Sequence, residues 1–170
     1  MNSRNSRLDT FLINITKFGN VLTIIGIIIV LLVLLPKKEK YLVLINSSIT
    51  VIINNILKYS IRRPRPSHIR LIKQGGYSYP SGHAMISIAV YGLLIYFICH
   101  KSWNRWLKVS LIVLLTLLII SIGISRIYVG VHYPSDIIGG YLLALLIEIE
   151  VIERVDNYLG GISDDKNGRK

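Results

Sequence analysis

The chain of 170 residues is long enough for one domain, and 52% of it is hydrophobic against 17% charged, which excludes an ordinary soluble globular domain and leaves an integral membrane protein. Lysine and arginine outnumber aspartate and glutamate 20 to 9, an excess suited to nucleic acid, to anionic lipid, or to an anionic substrate held at a membrane. With no zinc-finger pattern and no aromatic stripe of a single-strand binder, nucleic acid is set aside. The single cysteine, Cys99, excludes an intramolecular disulfide.

In chain order, the N-terminal segment places Leu8, Phe11, Leu12 and Ile15 at helical spacing with Arg4, Arg7 and Lys17 around them. That pattern fits an interfacial amphipathic helix and equally a frayed tail. No small-residue cleavage site follows, so the first apolar run is expected to be a retained span. Five apolar runs come next, at 18–35, 41–57, 84–99, 107–124 and 137–152, each of 16 to 18 residues. These lengths sit at the short end of the ~17–25 residues a transmembrane helix needs. The runs are continuous, which excludes the alternating strands of a barrel. The expected fold is therefore an all-α polytopic bundle of about five spans plus the N-terminal interfacial helix. A single domain is expected over 1–160, followed by a disordered polar tail at 161–170.

Five spans fix which loops share a face: 58–83 and 125–136 fall on one side with the N-terminus, and 36–40, 100–106 and the C-terminus on the other. The first of the paired loops carries Lys58, Arg62, Arg63, Arg65, Arg70 and Lys73 within sixteen residues. Such a run fits a positive flank that orients a helix against anionic head groups. Two details point further. Lys58 ends an apolar run that holds Asn54 and Asn55, and polar residues at membrane depth face a bundle interior. Pro64 and Pro66 keep Arg63 and Arg65 from extending a helix and hold their guanidiniums on a stiff segment.

Further along, Pro80-Ser81-Gly82 reads as a helix start with Ser81 as N-cap, where free backbone N–H groups favour an anion. Gly82 admits that anion close to the backbone, and His83 in the first turn can exchange a proton beside it. In the second loop Arg126 follows the fourth span and Pro134 marks the next helix start. Asp136, four residues after His132, can fix the imidazole tautomer and stabilise an imidazolium. Taken singly, Arg126 also fits an interfacial ion pair and Asp136 a helix cap.

Together these residues resemble a known family. Lys58, six residues, then Arg65-Pro66; Pro80-Ser81-Gly82-His83; and Ser125-Arg126, five residues, His132, three residues, Asp136 are similar, in order and spacing, to the three signature motifs of the type 2 phosphatidic acid phosphatase superfamily. That superfamily includes bacterial membrane lipid phosphatases and soluble vanadium haloperoxidases. The resemblance covers 58–136, and the five spans depart from the six of many membrane members. It implies that Lys58, Arg65 and Arg126 surround a phosphate, with Ser81 and the Gly82 amide completing the cradle. It further implies that His132, oriented by Asp136, forms a phosphohistidine while His83 protonates the leaving group. Three cations then take the place of a metal, no cofactor is expected, and no Asp/Glu cluster with Mg²⁺ or Zn²⁺ spacing is present in the sequence.

Arg62, Arg63 and Arg70 lie outside the matched positions, as head-group guides, a second phosphate site or loop anchors. Tyr77, Tyr79, Tyr128 and Tyr133 fit interfacial anchors. Each side carries ten Lys/Arg, and setting aside Lys58, Arg65 and Arg126 leaves seven on the loop side against ten. The positive-inside rule then puts the site on the extracytoplasmic face of the cell membrane. The expected partner is a membrane lipid, undecaprenyl diphosphate or phosphatidylglycerophosphate. The same motifs would serve a lipid A phosphatase or a lipid-to-lipid phosphotransferase. From a different class, a non-catalytic protein binding anionic lipid through its basic loops would make His132 dispensable.

Overall fold

Several helix boundaries fall at residues whose chemistry accounts for them. The computed structural model describes residues 6–67 and 70–167, with side chains as far as 158, and among these residues all regular structure is helical. In α1 (Ser6–Lys17), Leu12 and Thr16 are buried while Leu8 and Phe11 are exposed, as an amphipathic helix requires. Arg4 of the expected pattern lies outside the described residues. The Asn20 side chain accepts the Val21 N–H at 2.8 Å and opens α2 (Val21–Leu34), bent 45° from α1. Pro36, in extended conformation, precedes α3 (Lys37–Ile61). That helix ends where Arg62 turns left-handed at φ 51° and returns its N–H to the Lys58 carbonyl, and Pro64 prevents its resumption.

The Ser81 side chain caps α4 (Gly82–Ser87), which continues through a π-helical turn at Ile88–Gly92 into α5 (Leu93–His100). Asn104 accepts the Trp106 N–H at 2.9 Å to start α6 (Arg105–Tyr128), and Pro134 is the first residue of α7 (Pro134–Asn167). Among the described residues three stretches are long and apolar enough to cross a membrane, Lys37–Ile61, Gly82–His100 and Arg105–Tyr128. The bent pair α1 and α2 makes a fourth if counted as one span. The fifth expected run, 137–152, lies in α7, where Asp136, Glu148, Glu150, Glu153 and Arg154 leave no 18-residue window with two charges or fewer. By that measure the described residues hold three or four such helices where five apolar runs are read in the sequence, and the all-helical membrane bundle stands. The helix α7 continues to Asn167, into the segment for which disorder is expected from composition.

At the centre stands the α4–α5 rod, with 50% of its apolar window buried against 33% for α3 and 17% for α6. Met85, Ile88, Val90 and Tyr91 pack with Ile24, Ile119, Ile122 and Ala144, and one turn and more beyond, Leu93 and Phe97 meet Leu42, Val43 and Val151. Lipid is as apolar as leucine, so close packing and a few polar contacts hold such helices together rather than transfer from water. Gly140 supplies one close approach: a Cβ there would stand 3.1 Å from the Ser81 carbonyl oxygen. Asn46 of α3 supplies a polar contact, donating to the Ala89 carbonyl at 3.0 Å; within a bilayer such a bond contributes about 0.6–1.7 kcal/mol. Leu22, Val33, Leu114 and Leu146 are exposed on the outside, the face a bilayer covers. The end of α3, the start of α4, the end of α6 and the start of α7 meet at one end of the bundle, where backbone bonds lace the loops together.

Candidate active site

Three main-chain bonds bring the sequence motifs into register. Ser78 N–H donates to the Arg63 carbonyl at 2.8 Å, Leu71 N–H to Val129 at 3.0 Å, and Ser81 N–H to Asp136 at 3.1 Å. Of the eight residues expected to form a site, Lys58, Arg65, Gly82, His83, Arg126 and His132 line one cavity of about 740 Å³. Ser81 and Asp136 are fully buried just behind that lining. Ser81 therefore acts locally as the α4 cap, its Oγ accepting the Ala84 N–H at 3.4 Å, and does not face the cavity. Arg126 lies within the last turn of α6 rather than beyond it, and is 2% exposed.

The acceptors that the cations bond are neutral. Lys58 Nζ, from the last turn of α3, donates to the carbonyls of Pro80 at 2.7 Å and Tyr77 at 3.3 Å. Arg65 Nε donates to the carbonyls of Gly75 and Gly76, and its Nη1 to that of Val131 at 2.8 Å. Arg126 donates from Nη1 to the Thr16 hydroxyl and from Nη2 to Gln74 Oε1, each at 3.0 Å, while its buried Nε has no partner. A buried charged donor without an acceptor costs about 1–3 kcal/mol or more, which an anionic oxygen at that point would offset. No carboxylate lines the cavity among the described residues, so the positive charge there is not cancelled.

His132 sits in the turn between α6 and α7. Its Nδ1 lies 3.4 Å from Asp136 Oδ2, and its Nε2 lies 3.1 Å from Arg65 Nη1. A guanidinium can only donate, which makes Nε2 the acceptor and assigns the ring proton to Nδ1. Burial pushes the imidazole down from 6.5 to about 4; the Asp136 bond opposes this, and Arg65, Arg126 and Lys58 reinforce it. At neutral pH the ring is thus uncharged, with a lone pair at Nε2 on the cavity side. Burial, then the Arg70 charge, also lowers Arg65 from its usual range, against the opposing pull of Asp136.

Several contributors were not marked by any motif. Thr16 and Gln74 hold the Arg126 fork, Ser78 and Arg63 both bond Asp136, and Gly19 packs on His83, where a Cβ would stand 3.0 Å from the ring's Cδ2. Of the buried-polar pair expected on α3, Asn54 turns inward to the Pro80 carbonyl, whereas Asn55 stays exposed and bonds Val51 on its own helix. Tyr133 lies under the Arg63 guanidinium, and the Tyr128 hydroxyl donates to Asp9 of α1.

A helical membrane bundle that carries an uncancelled cation cavity and an oriented histidine at one end defines a class of anion-handling membrane proteins, with chemistry suited to phosphoryl groups. Comparison with known proteins gives the class its family. The model of the PAP2 superfamily matches residues 40–158, and the chain belongs to that superfamily. Phosphatidylglycerophosphatase B of Bacillus subtilis is 35% identical over 97 residues, covering 56% of this chain and 48% of that protein. The Undecaprenyl-diphosphatase of Sulfolobus acidocaldarius is 29% identical over 143 residues, covering 80% of this chain and 65% of that one. The chain thus spans between about half and two thirds of the length of these relatives. The crystal structure of a transmembrane PAP2 type phosphatidylglycerolphosphate phosphatase from Bacillus subtilis superposes with a TM-score of 0.82 at 27% identity, over 91% of this chain and 80% of that one.

Proposed function

We infer that the chain is a membrane lipid-phosphate phosphatase that works through a phosphohistidine at His132. One observation carries the reading: a neutral imidazole, held by Asp136 through Nδ1, presents Nε2 to a cavity lined by Lys58, Arg65 and Arg126 and by no carboxylate among the described residues. In the first step a phosphate draws Arg65 off Nε2 and the imidazole lone pair attacks phosphorus in line. A bond forms between Nε2 and phosphorus as the bond to the leaving oxygen breaks, that of the lipid alcohol in a monoester or of the lipid phosphate in a diphosphate, and His83 gives that oxygen its proton. In the second step water attacks phosphorus, His83 takes a proton from it, and the electron pair of the P–N bond returns to Nε2. The three cations and the Gly82 amide neutralise the charge that spreads over the phosphoryl oxygens in both steps.

The shape of the cavity supports a lipid as the substrate. It runs from the polar end between α2 and α3, with Ile24, Ile25 and Ile28 on one wall and Val51 and Ile52 on the other, as far as Ser47. From Lys58 to Ser47 along α3 is about 16 Å at ~1.5 Å per residue, room for a hydrocarbon tail beneath a phosphate. Undecaprenyl diphosphate and phosphatidylglycerophosphate, the substrates in the names of the two relatives, both have this build. An isoprenyl diphosphate is the first candidate, since a relative aligned over 80% of this chain is named an Undecaprenyl-diphosphatase. The lysine and arginine balance supports an extracytoplasmic site in the cell membrane.

The test is phosphate release by the purified protein with EDTA present, from undecaprenyl diphosphate, phosphatidylglycerophosphate, phosphatidic acid and a lipid A phosphate, beside His132→Ala. Release from one lipid that vanishes in the variant names the substrate. Release only on adding an acceptor lipid makes the protein a phosphotransferase. No turnover of any kind by folded protein overturns the reading in favour of lipid binding.

A further inference from the structure

Asp136 has more partners than an orienting carboxylate needs. Its Oδ2 accepts from the Ser78 hydroxyl, from Tyr133 N–H at 2.8 Å and from His132 Nδ1 at 3.4 Å, while Oδ1 accepts from Arg63 Nη1 at 2.8 Å. The carboxylate is fully buried, whereas the Arg63 side chain is 34% exposed. The same Nη1 donates to Ser135 Oγ at 2.7 Å, and the guanidinium carbon lies 4.2 Å from the Tyr133 ring centroid, so Arg63 is held on three sides. The Ser78 N–H bond to the Arg63 carbonyl ties these two partners of the carboxylate to each other. Neither residue lines the cavity, and neither belongs to the spacings by which the site is recognised in the sequence.

We propose that Arg63 and Ser78 are positioning residues: together they fix the Asp136 carboxylate with Oδ2 turned to His132, and Arg63 offsets part of its charge. A carboxylate that bonded His132 alone could rotate about its own axis and would attract a proton to the ring more strongly. With Oδ1 committed to a guanidinium, the ring is aimed and Nε2 stays unprotonated to lower pH. The titratable and charged groups facing the imidazole are Lys58 from α3, Arg65 from the loop, His83 from α4, Arg126 from α6 and Asp136 from α7, and a change at Arg63 leaves all of them in place. The proposal rests on His132 as nucleophile, and the experiment separates the two.

Steady-state phosphate release by the full chain in detergent is followed across pH, on whichever lipid phosphate the wild type hydrolyses, for Arg63→Gln, Arg63→Lys, Ser78→Ala and His132→Ala. Arg63→Gln is expected to lower kcat about 10- to 100-fold, to leave KM within about twofold, and to move the acid limb of the profile up by about one pH unit. Arg63→Lys keeps the charge and returns the limb to the wild-type pH. Ser78→Ala lowers kcat about tenfold with the limb unmoved, because no charge is lost. A raised KM at unchanged kcat would make Arg63 a phosphate ligand, and a lowered kcat with an unmoved limb in Arg63→Gln would make it a structural staple; either overturns the proposal. Should Arg63→Gln not fold, wild-type kcat in both Arg63→Lys and Ser78→Ala overturns it as well. An inactive His132→Ala beside normal Arg63 variants sinks only this proposal, whereas an active His132→Ala sinks the nucleophile itself.

Discussion

Two cavities of the same size, about 740 Å³, lie at opposite ends of α3, and each is lined by three cationic side chains. At the N-terminal end of the helix these are Lys37, Lys38 and Arg154, among apolar residues and the tyrosines Tyr41 and Tyr158. There Lys38 pairs with Asp156 at 2.9 Å and Arg154 with Glu150, all four well exposed, so water and counter-charge leave little net attraction for an anion. At the other end Lys58, Arg65 and Arg126 are bonded to carbonyls, a hydroxyl and an amide, none of which carries charge. On the proposed reading, what sets the anion site apart is therefore the kind of acceptor the cations bond and how far they are withdrawn from water. The number of cations is the same in both.

The contrast can be broken most sharply at the histidine. His132→Ala is expected to remove turnover by about 10⁴-fold or more, measured as phosphate release from the best lipid substrate. Asp136→Asn should lower kcat by about 10³- to 10⁴-fold while far-UV circular dichroism stays unchanged, since the variant keeps the shape and loses the orienting charge. Arg65→Ala, which removes a cation with no counter-charge, should reduce kcat/KM by about 10²- to 10³-fold. The pH profile sharpens the same point: the reactive ring is the neutral one, so activity should persist above about pH 4 and fall as pH drops through it, when the buried imidazole is protonated. At the other cavity Lys38→Ala should leave phosphate release within about twofold of wild type. A loss there comparable to that of Arg65→Ala would mean that the two cavities are not functionally distinct.

Local pattern made the helices legible. Apolar runs interrupted by Pro36, by the Pro64 to Pro80 stretch and by Asn104 mark α3, α4–α5 and α6 to within a few residues, because a helix in lipid must satisfy its own backbone. What pattern misjudged were the elements whose composition is mixed. The apolar run at 18–35 contains α2 of only 14 residues, because Gly19 and Asn20 form an elbow, and α7 runs on past its apolar stretch through a mixed, polar segment. Within the site, residues at fixed spacings on short segments could be read in advance, as His132 and Asp136 one turn apart illustrate. Thr16 on Arg126, 110 residues away, and Arg63 on Asp136, 73 residues away, could not, since only the packing of α1 against α6 and of the loop against α7 creates those contacts.

The bond between Arg65 and His132 Nε2 bears on which reagents the site accepts. With a guanidinium 3.1 Å from the nitrogen, the lone pair is already engaged, and an alkylating agent or a metal ion that offers nothing to Arg65 must compete with it. A phosphate brings oxygens that bind the guanidinium better than an imidazole does. On the proposed mechanism, the ligand that is to be attacked is thus the one that uncovers the attacking atom, and selectivity begins before any bond to phosphorus is made.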